Sequence, residues 1–280
     1  MGKRIVIGSV IYQQAFCFFE DFLKSLELQT YNDFMILLIN DDISMNDIKG
    51  KVLFFAPWLQ EKIIIIDKSG RRNKPCELRV ELIKEAYQRD YDILVLLDCD
   101  DKASSNRIEC ISKQFGQEYT FFYNELLDFE KRTVMPTLPN FTNDVGNIRE
   151  CNYLGMSNNA LNLKKLSSQF IESLYQGQTK VFDWYLFSRI LLNGGVGKKV
   201  IECCTYYRIY DENIAGRSIY DKRSLNNEIL VKKQHYELLG KYDVIYNELL
   251  RKYSSISVEN LKTVNENGYW WGLINSQNIV

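Results

Sequence analysis

The sequence predicts an α/β protein: an open, mostly parallel sheet flanked by helices, followed by a helical C-terminal extension. Two observations lead to this prediction. Over the first hundred residues, short runs that are apolar throughout alternate with segments whose apolar residues recur at helical spacing. Strands of a parallel sheet covered on both faces have this continuous apolar character. From about residue 217 only the helical spacing remains, so we predict two parts, 1–216 and 217–280.

The predicted strands and helices alternate along the first part of the chain. Runs rich in β-branched residues mark the strands, because such side chains fit a pleated, buried surface. Apolar residues spaced three or four positions apart mark the helices. The predicted strands are 4–11, 35–40, 62–66, 92–97, 119–123 and 200–207, and the predicted helices are 16–29, 77–88, 104–115, 163–174 and 184–192. The segment 128–150 has no periodicity and is a candidate lid, because long loops in compact domains are usually functional.

Composition excludes several classes of protein. The chain has 280 residues, of which 46% are hydrophobic and 25% charged, as in ordinary globular proteins. Its net charge of −1 is unlike that of a strongly basic nucleic-acid binder, so we expect no nucleic-acid partner. The longest apolar runs, such as 52–59, fall short of the roughly 18 residues that a membrane span needs. No leader pattern is visible, so we expect a cytoplasmic protein.

Histidine and cysteine usage limits the chemistry. The seven cysteines form no CxxC pair, so we expect neither a zinc framework nor a disulfide scaffold. The single histidine, His235, follows two lysines and a glutamine, which is typical of a solvated helix face. A Ser-His-Asp hydrolase site therefore lacks its parts. Acid–base chemistry must come from carboxylates, lysine, tyrosine or a metal ion.

Acidic residues follow two of the predicted strands. Asp41 and Asp42 end one strand, and Asp98, Asp100 and Asp101 end another. Ligands of open α/β sheets bind beyond the carboxyl ends of the strands. A single aspartate there is usually a turn former or a helix cap, but three carboxylates within four residues repel one another unless a cation lies between them. Mg²⁺ or Mn²⁺ prefers such hard oxygen ligands beside phosphate.

Seven short segments extend the pattern beyond these clusters. They are the opening strand with Ser9, Ile11 and Tyr12; Gln29-Thr30-Tyr31; Asp41-Asp42-Ile43-Ser44; Leu97-Asp98-Cys99-Asp100-Asp101; Gly155-Met156-Ser157; Phe182-Asp183-Trp184; and Tyr207-Arg208-Ile209-Tyr210-Asp211-Glu212-Asn213 with Gly216. In order and spacing they resemble the motifs of GT-A glycosyltransferases of the family 2 type, over roughly residues 3–216. Three positions depart from that pattern: Ile43 replaces glycine, Phe182 replaces an acid, and Tyr210 replaces a histidine.

The resemblance implies an inverting glycosyltransferase that takes a sugar from a nucleoside diphosphate donor, a UDP-sugar by preference. It implies Mg²⁺ or Mn²⁺ held by Asp100 with Asp98, and an acceptor side at Gly155, Ser157 and Trp184. Because Tyr210 replaces the histidine, either the ion is loosely held or Arg208 takes over part of the histidine's task. The donor-binding residues it implies are Ser9, Ile11, Tyr12, Asp41, Arg72, Arg79, Asp98, Cys99 and Arg208, although the arginines at 72 and 79 would also suit a solvated surface.

Asp183 has two interpretations that the sequence leaves open. As a general base it would take the proton of the attacking acceptor hydroxyl. As the first residue before a helix it would serve as an N-cap. The same choice holds for Trp184, which would either stack on a sugar ring or belong to the core.

The family resemblance also sets the expected context. We expect a glycan or lipid-linked glycan acceptor in bacterial surface polysaccharide biosynthesis, such as capsule or O-antigen, with at most peripheral contact at the inner face of the membrane. The aromatic cluster 269–271 would then meet the bilayer interface or pack on the catalytic domain. Two alternatives remain: a non-catalytic nucleotide-sugar-binding protein, and a phosphotransferase with Asp98 as nucleophile.

Overall fold

The computed structural model describes residues 2–135, 137–210, 222–256 and 268–276. In these ranges the strands are β1 (Ile5–Tyr12), β2 (Phe34–Asp41), β3 (Ile63–Asp67), β4 (Ile93–Leu96), β5 (Lys102–Ala103), β6 (Phe121–Asp128), β7 (Phe141–Thr142), β8 (Asn159–Asn162) and β9 (Gly197–Tyr207). The helices are α1 (Phe19–Glu27), α2 (Met45–Phe55), α3 (Pro75–Gln88), α4 (Arg107–Gln114), α5 (Ser168–Ser173), α6 (Phe182–Leu192), α7 (Lys222–Leu239) and α8 (Val244–Ser254).

The strands form one sheet in the order β3-β2-β1-β4-β8-β6-β9-β5, with β7 paired to β9. The first four strands of that order are parallel, as predicted. The second half is mixed, because β8 runs antiparallel to both of its neighbours, β4 and β6. The sequence pattern missed β8, since two of its four residues are asparagines. Both are fully buried and donate to backbone carbonyls, Asn159 to Gly155 at 2.7 Å and Asn162 to Tyr119 at 3.0 Å.

Helices cover both faces of the sheet, which confirms the predicted fold class. Helices α1, α2 and α4 bury one core, and α3, α6, α7 and α8 belong to the other. Strand β1 supplies both cores by alternation: Val6 faces one, while Ile5, Ile7 and Ile11 face the other. The carboxyl ends of β1, β2 and β4 therefore open at one edge of the sheet, between two packed layers.

Several helix boundaries differ from the predicted ones for local reasons. Helix α2 was not predicted, because only Ile48 and Val52 are buried along it and Gly50 interrupts the pattern. The predicted helix 163–174 contains a true helix only over α5, which begins where the Ser167 hydroxyl accepts a hydrogen bond from the Phe170 N–H at 3.1 Å. Single-turn 3₁₀ segments precede and follow it.

The C-terminal helices are present as predicted, although residues 217–221 lie outside the described ones. Leu225, Ile229 and Tyr236 of α7 share one core with the sheet. The expectation that His235 is solvated was wrong: its side chain is 1% exposed and its ring stacks on Trp184 at 3.9 Å between centroids. The buried stripe of α7 contains charged residues beside apolar ones, so its polar sequence concealed a buried face.

The segment 128–150 packs against the core. Met135, Leu138, Val145 and Ile148 are buried, and β7 joins the segment to β9. None of its described residues lines the cavity described below, so the lid expectation was wrong. No helix in the described parts of the chain is long and apolar enough to cross a membrane.

Candidate active site

A cavity of about 840 Å³ opens beyond the carboxyl ends of β1, β2 and β4. Its volume lies within the usual range for small-molecule sites. Eight of the predicted site residues line it: Tyr12, Asp41, Arg79, Asp98, Asp100, Gly155, Ser157 and Asp183. Residues distant in sequence therefore meet in one place.

Asp98 lies just after β4 and contacts two other parts of the chain. Its backbone N–H donates to the hydroxyl of Ser157 at 2.8 Å. Its carboxylate forms an ion pair with the guanidinium of Arg79 from α3 at 3.5 Å. Burial alone would lower the pKa of Arg79, but the carboxylates of Asp98 and Asp183 outweigh burial and raise it. The arginine is therefore a permanent cation at the centre of the cavity.

The carboxylate of Asp100 lies close to other negative charges, and its pKa responds to them. Burial and the charge of Asp98 raise the pKa of Asp100 to about 6. The hydroxyl of Tyr210 donates to its Oδ2 at 2.9 Å. The next residue, Asp101, is 1% exposed. Its burial and the charges of Asp100 and Asp98 raise the pKa of its carboxyl group well above the usual range. A divalent cation at this point would relieve the repulsion between these charges.

The donor set fits a cation that is shared with a ligand. Among the described residues, no group of three or more His, Cys, Asp or Glu side chains surrounds a common point. Asp98 and Asp100 offer two hard carboxylate ligands, and Tyr210 places a phenol where the resembled family has a histidine. Mg²⁺ is commonly bound by one or two carboxylates completed by phosphate oxygens and water. These residues therefore fit an ion that arrives with a diphosphate.

Asp183 lies in the first turn of α6, facing the same cavity. The N-cap of α6 is Val181, so the N-cap interpretation of Asp183 was wrong. Its carboxylate instead accepts a hydrogen bond from the Trp184 backbone N–H at 2.7 Å. Burial raises the pKa of Asp183 to about 6, although the nearby Arg79 acts in the opposite direction. Such a carboxylate is ionised at neutral pH and more basic than an exposed one.

Asp41 lines the opposite end of the cavity, at the end of β2. Its Oδ1 accepts a hydrogen bond from the Asn73 side chain at 2.9 Å, and Asn73 also lines the cavity. Asn73 was not predicted from the sequence, because an isolated asparagine in a loop is an ordinary turn residue. Its neighbour Arg72 is exposed and does not line the cavity.

Strand alternation separates the predicted residues of β1. Tyr12 lines the cavity together with Val10, whereas Ser9 and Ile11 lie on the opposite face of the strand and are 2% and 0% exposed. Cys99 is also fully buried and does not line the cavity. The structure therefore brings only Tyr12 of these four predicted donor-site residues to the cavity wall.

Trp184 is a core residue. It is fully buried, its indole N–H donates to the Ile148 carbonyl at 2.6 Å, and His235 covers its ring. It does not line the cavity, so the interpretation of Trp184 as a stacking surface for a sugar was wrong. The packing pattern of α6 explains this, because nine of its eleven residues are buried.

Arg208 supports the acidic loop from outside the cavity. Its guanidinium donates to the Asp100 carbonyl at 2.9 Å and to the Asp21 carboxylate at 2.5 Å. Its backbone N–H donates to Asp101 Oδ1 at 2.8 Å. Arg208 is absent from the cavity lining, so the structure places it as a residue that positions the aspartates.

Trp270 and Trp271 form the far end of the cavity. Each is 7% exposed, which confirms that the aromatic cluster packs on the domain. Their contribution to the cavity was not predicted, because it depends on a contact with Gly155, more than a hundred residues earlier. The Trp270 ring lies so close to Gly155 that a Cβ there would be 2.7 Å from it.

Comparisons with known proteins agree with this fold. No protein-family model and no curated protein matches the sequence. Residues 1–349 of S. aureus TarS, solved with UDP, match with a TM-score of 0.59 at 12% identity, covering 92% of this chain and 73% of that one. Mannosyltransferase PcManGT from Pyrobaculum calidifontis, with GDP-Man and Mn²⁺, matches with a TM-score of 0.56 at 10% identity, covering 89% of this chain and 70% of that one. GalNAc-T7, solved with UDP, GalNAc and Mn²⁺, matches with a TM-score of 0.54 at 10% identity, covering 91% of this chain and 52% of that one. The chain has the GT-A fold.

Proposed function

We propose that the protein is an inverting, metal-dependent glycosyltransferase. It would move a sugar from a nucleoside diphosphate donor, a UDP-sugar by preference, to a hydroxyl group of an acceptor glycan. One observation carries the proposal: in a GT-A fold, Asp98, Asp100, Arg79 and Asp183 line a single cavity at the carboxyl ends of the strands. Solved proteins of this fold hold UDP, UDP-GlcNAc or GDP-Man.

Donor binding would use the end of the cavity near β2. The Asp41 carboxylate, oriented by Asn73, would accept hydrogen bonds from the base or the ribose. Tyr12 and Asp98 line the path from there to the centre of the cavity. The Arg79 guanidinium, fixed by Asp98 at 3.5 Å, would face the negative charge of the diphosphate.

Asp98 and Asp100 would hold the divalent ion, with Tyr210 orienting Asp100 through its hydroxyl. When bound, Mg²⁺ or Mn²⁺ supplies Lewis-acid stabilisation of the charge that develops on the leaving nucleoside diphosphate. PcManGT and GalNAc-T7 were both solved with Mn²⁺. Arg208 would keep the acidic loop in place through the Asp100 carbonyl and the Asp101 carboxylate.

Asp183 would act as the general base. A carboxylate with a pKa near 6 is ionised at pH 7 and lies close to the optimum for proton transfer at that pH. It would accept the proton of the acceptor hydroxyl as that oxygen attacks the anomeric carbon from the face opposite the leaving group. This direct displacement inverts the anomeric configuration.

The proposed setting rests on the family resemblance. We propose that residues 1–216 carry donor binding and catalysis, and that the acceptor is a glycan or lipid-linked glycan of bacterial surface polysaccharide biosynthesis. The protein would work in the cytoplasm, with peripheral contact at the inner face of the membrane when the acceptor is lipid-linked.

A thermal-shift screen tests the proposal. The purified protein is heated with UDP-, GDP- and dTDP-sugars, each with and without MnCl₂. We expect one nucleotide series to raise the melting temperature, with a larger rise when Mn²⁺ is present, since a ligand that binds only the folded state stabilises it. Absence of any stabilisation would refute nucleotide-sugar binding.

A turnover assay then distinguishes a glycosyltransferase from a non-catalytic binding protein and from a phosphotransferase. The stabilising donor is incubated with the protein and Mn²⁺, and release of the nucleoside diphosphate is followed. Release identifies an enzyme, whereas tight binding without any release would support a non-catalytic nucleotide-sugar-binding protein. Covalent phosphate on Asp98, detected by mass spectrometry, would support a phosphotransferase instead.

A further inference from the structure

The far end of the cavity is built by a short C-terminal segment, residues 268–276, which we name the C-terminal wall. Its two tryptophans, Trp270 and Trp271, line the cavity. Trp270 packs on Gly155 and lies 5.7 Å from the ring of Tyr207, between centroids. The wall therefore faces the cavity with aromatic surface on the side where β9 ends.

Hydrogen bonds of its backbone fix this wall to two distant parts of the chain, residues 150–152 and α7. The Asn152 N–H donates to the Trp270 carbonyl at 2.7 Å. The Ile274 N–H donates to the Glu228 carboxylate at 2.9 Å, and the Ser276 N–H donates to the Glu150 carboxylate at 2.7 Å. An irregular segment held at both ends in this way keeps its side chains in fixed positions.

A buried ion pair in α7 binds the backbone of the C-terminal wall. Glu228 and Lys232 of α7 are 3% and 0% exposed and lie 3.3 Å apart. Lys232 also donates to the Ile274 carbonyl, and Glu228 accepts from the Leu273 N–H at 3.3 Å. A buried ion pair adds little net stability, since the cost of desolvation offsets the attraction. Its structural effect here is to hold the backbone of the C-terminal wall in place.

Trp271 has an unusual backbone conformation. Its φ is +59°, in the left-handed region that bulky residues rarely adopt. Residues held in such conformations store conformational strain and occur preferentially at functional sites such as ligand-binding sites. The strained residue is one of the two aromatic side chains that line the cavity. Strain and position together point to a binding role.

Polar side chains line the cavity together with the two tryptophans. Gln234 of α7 donates to the Gln178 carbonyl at 3.0 Å, and both glutamines line the cavity. Flat aromatic surface in a cavity that also has polar lining suits a ligand with one apolar face and many hydroxyl groups, because the ring covers the C–H face while polar groups bind the hydroxyls. A saccharide ring has this character.

The sheet order locates the tryptophans relative to the proposed nucleotide site. Asp41 ends β2, Asp98 follows β4, and Gly155 precedes β8, in a sheet whose order includes β2-β1-β4-β8. Trp270, packed on Gly155, thus lies on the opposite side of Asp98 from the proposed nucleotide site. We infer that Trp270 and Trp271 form a subsite for a saccharide ring of the acceptor. The inference rests on the proposed function and assigns the acceptor side of that site.

Simple methyl glycosides test the inference. Methyl β-glycosides of glucose, galactose and N-acetylglucosamine are examined by saturation-transfer NMR, with and without UDP and MgCl₂. UDP binding is measured separately by calorimetry. We expect at least one glycoside to bind the wild-type protein in the presence of UDP. Trp271→Ala should weaken that binding about tenfold, a typical loss for a buried aromatic anchor, and leave UDP binding unchanged.

Two further variants make the outcome decisive. Trp271→Leu keeps apolar volume but removes the flat aromatic face, so it should also weaken glycoside binding, and it replaces Trp271→Ala if that variant does not fold. Trp58→Ala is the matched control, because Trp58 is a partly exposed tryptophan outside the cavity. Glycoside binding that is absent, or equal in the wild type and in a folded Trp271→Ala or Trp271→Leu protein, would overturn the subsite. If the wild type binds none of UDP, GDP and dTDP, the result would instead contradict the proposed function.

Discussion

The sharpest prediction concerns Asp183, the proposed general base. Asp183→Asn removes the proton acceptor but keeps a side-chain oxygen for the Trp184 N–H, which now lies 2.7 Å from the carboxylate. We therefore expect the melting temperature and the affinity for UDP to stay close to those of the wild type. Turnover should fall about 10²–10⁴-fold, the usual contribution of a general base. This corresponds to about 3–5 kcal/mol of activation free energy.

The pH dependence follows from the same residue. With a pKa of about 6, Asp183 is about nine-tenths ionised at pH 7 and about one-tenth ionised at pH 5. Since the base acts in its ionised form, the wild-type rate should fall about tenfold as the pH drops from 7 to 5. The assay is release of the nucleoside diphosphate under saturating donor across this range.

Asp144→Asn is the matched control, because Asp144 caps a 3₁₀ turn outside the cavity and accepts from the Gly146 N–H. It should leave turnover unchanged. An Asp183→Asn protein that retains wild-type turnover would refute the assignment. So would a wild-type rate that stays flat between pH 7 and pH 5.

The remaining predictions concern the ion, the nucleotide and the buried histidine. Asp100→Ala should abolish turnover and the Mn²⁺-dependent part of the donor thermal shift, and an unchanged Mn²⁺ effect would remove Asp100 from the site. Asp41→Ala should weaken donor binding by about 1–3 kcal/mol in calorimetry, because it leaves a ligand donor unpaired; unchanged affinity would contradict this role. Burial lowers the pKa of His235 to about 3. As the pH falls below 6.5, the imidazole is therefore protonated in the unfolded chain while it stays neutral in the folded protein. The wild type should therefore lose about 1.4 kcal/mol of unfolding free energy per pH unit between pH 6 and pH 4, relative to His235→Phe. A constant difference between these two proteins would show that His235 titrates normally.

The parallel half of the fold could be predicted from the sequence because its signals are local. The strands around Ile7, Leu38, Ile65 and Val95 are apolar on both faces, and each lies within one residue or two of its predicted bounds. The acidic loop could be predicted for a related reason, since a cluster of carboxylates at a strand end needs a partner whatever the rest of the fold. Asp98 and Asp100 accordingly lie where they were expected, in the cavity.

The misassigned residues depend on which way a side chain points or on what covers it. Ser9 and Ile11 have the residue types of a strand exit, but alternation turns them to the face opposite the cavity. Trp184 follows a candidate base in sequence, yet the helix directs it into the core, where His235 covers it. A motif identifies the residues of a loop more reliably than the direction of each side chain.

The C-terminal part of the site illustrates the limit of local patterns most clearly. Glu228, Lys232 and His235 make α7 look like a solvated helix, yet all three are buried. They are buried because two of them hold the backbone of the wall and the third packs on the core. The wall in turn carries Trp270 and Trp271 into the cavity. Polar residues on a buried helix face thus indicate a second chain segment that must be bound there, and here that segment completes the candidate active site.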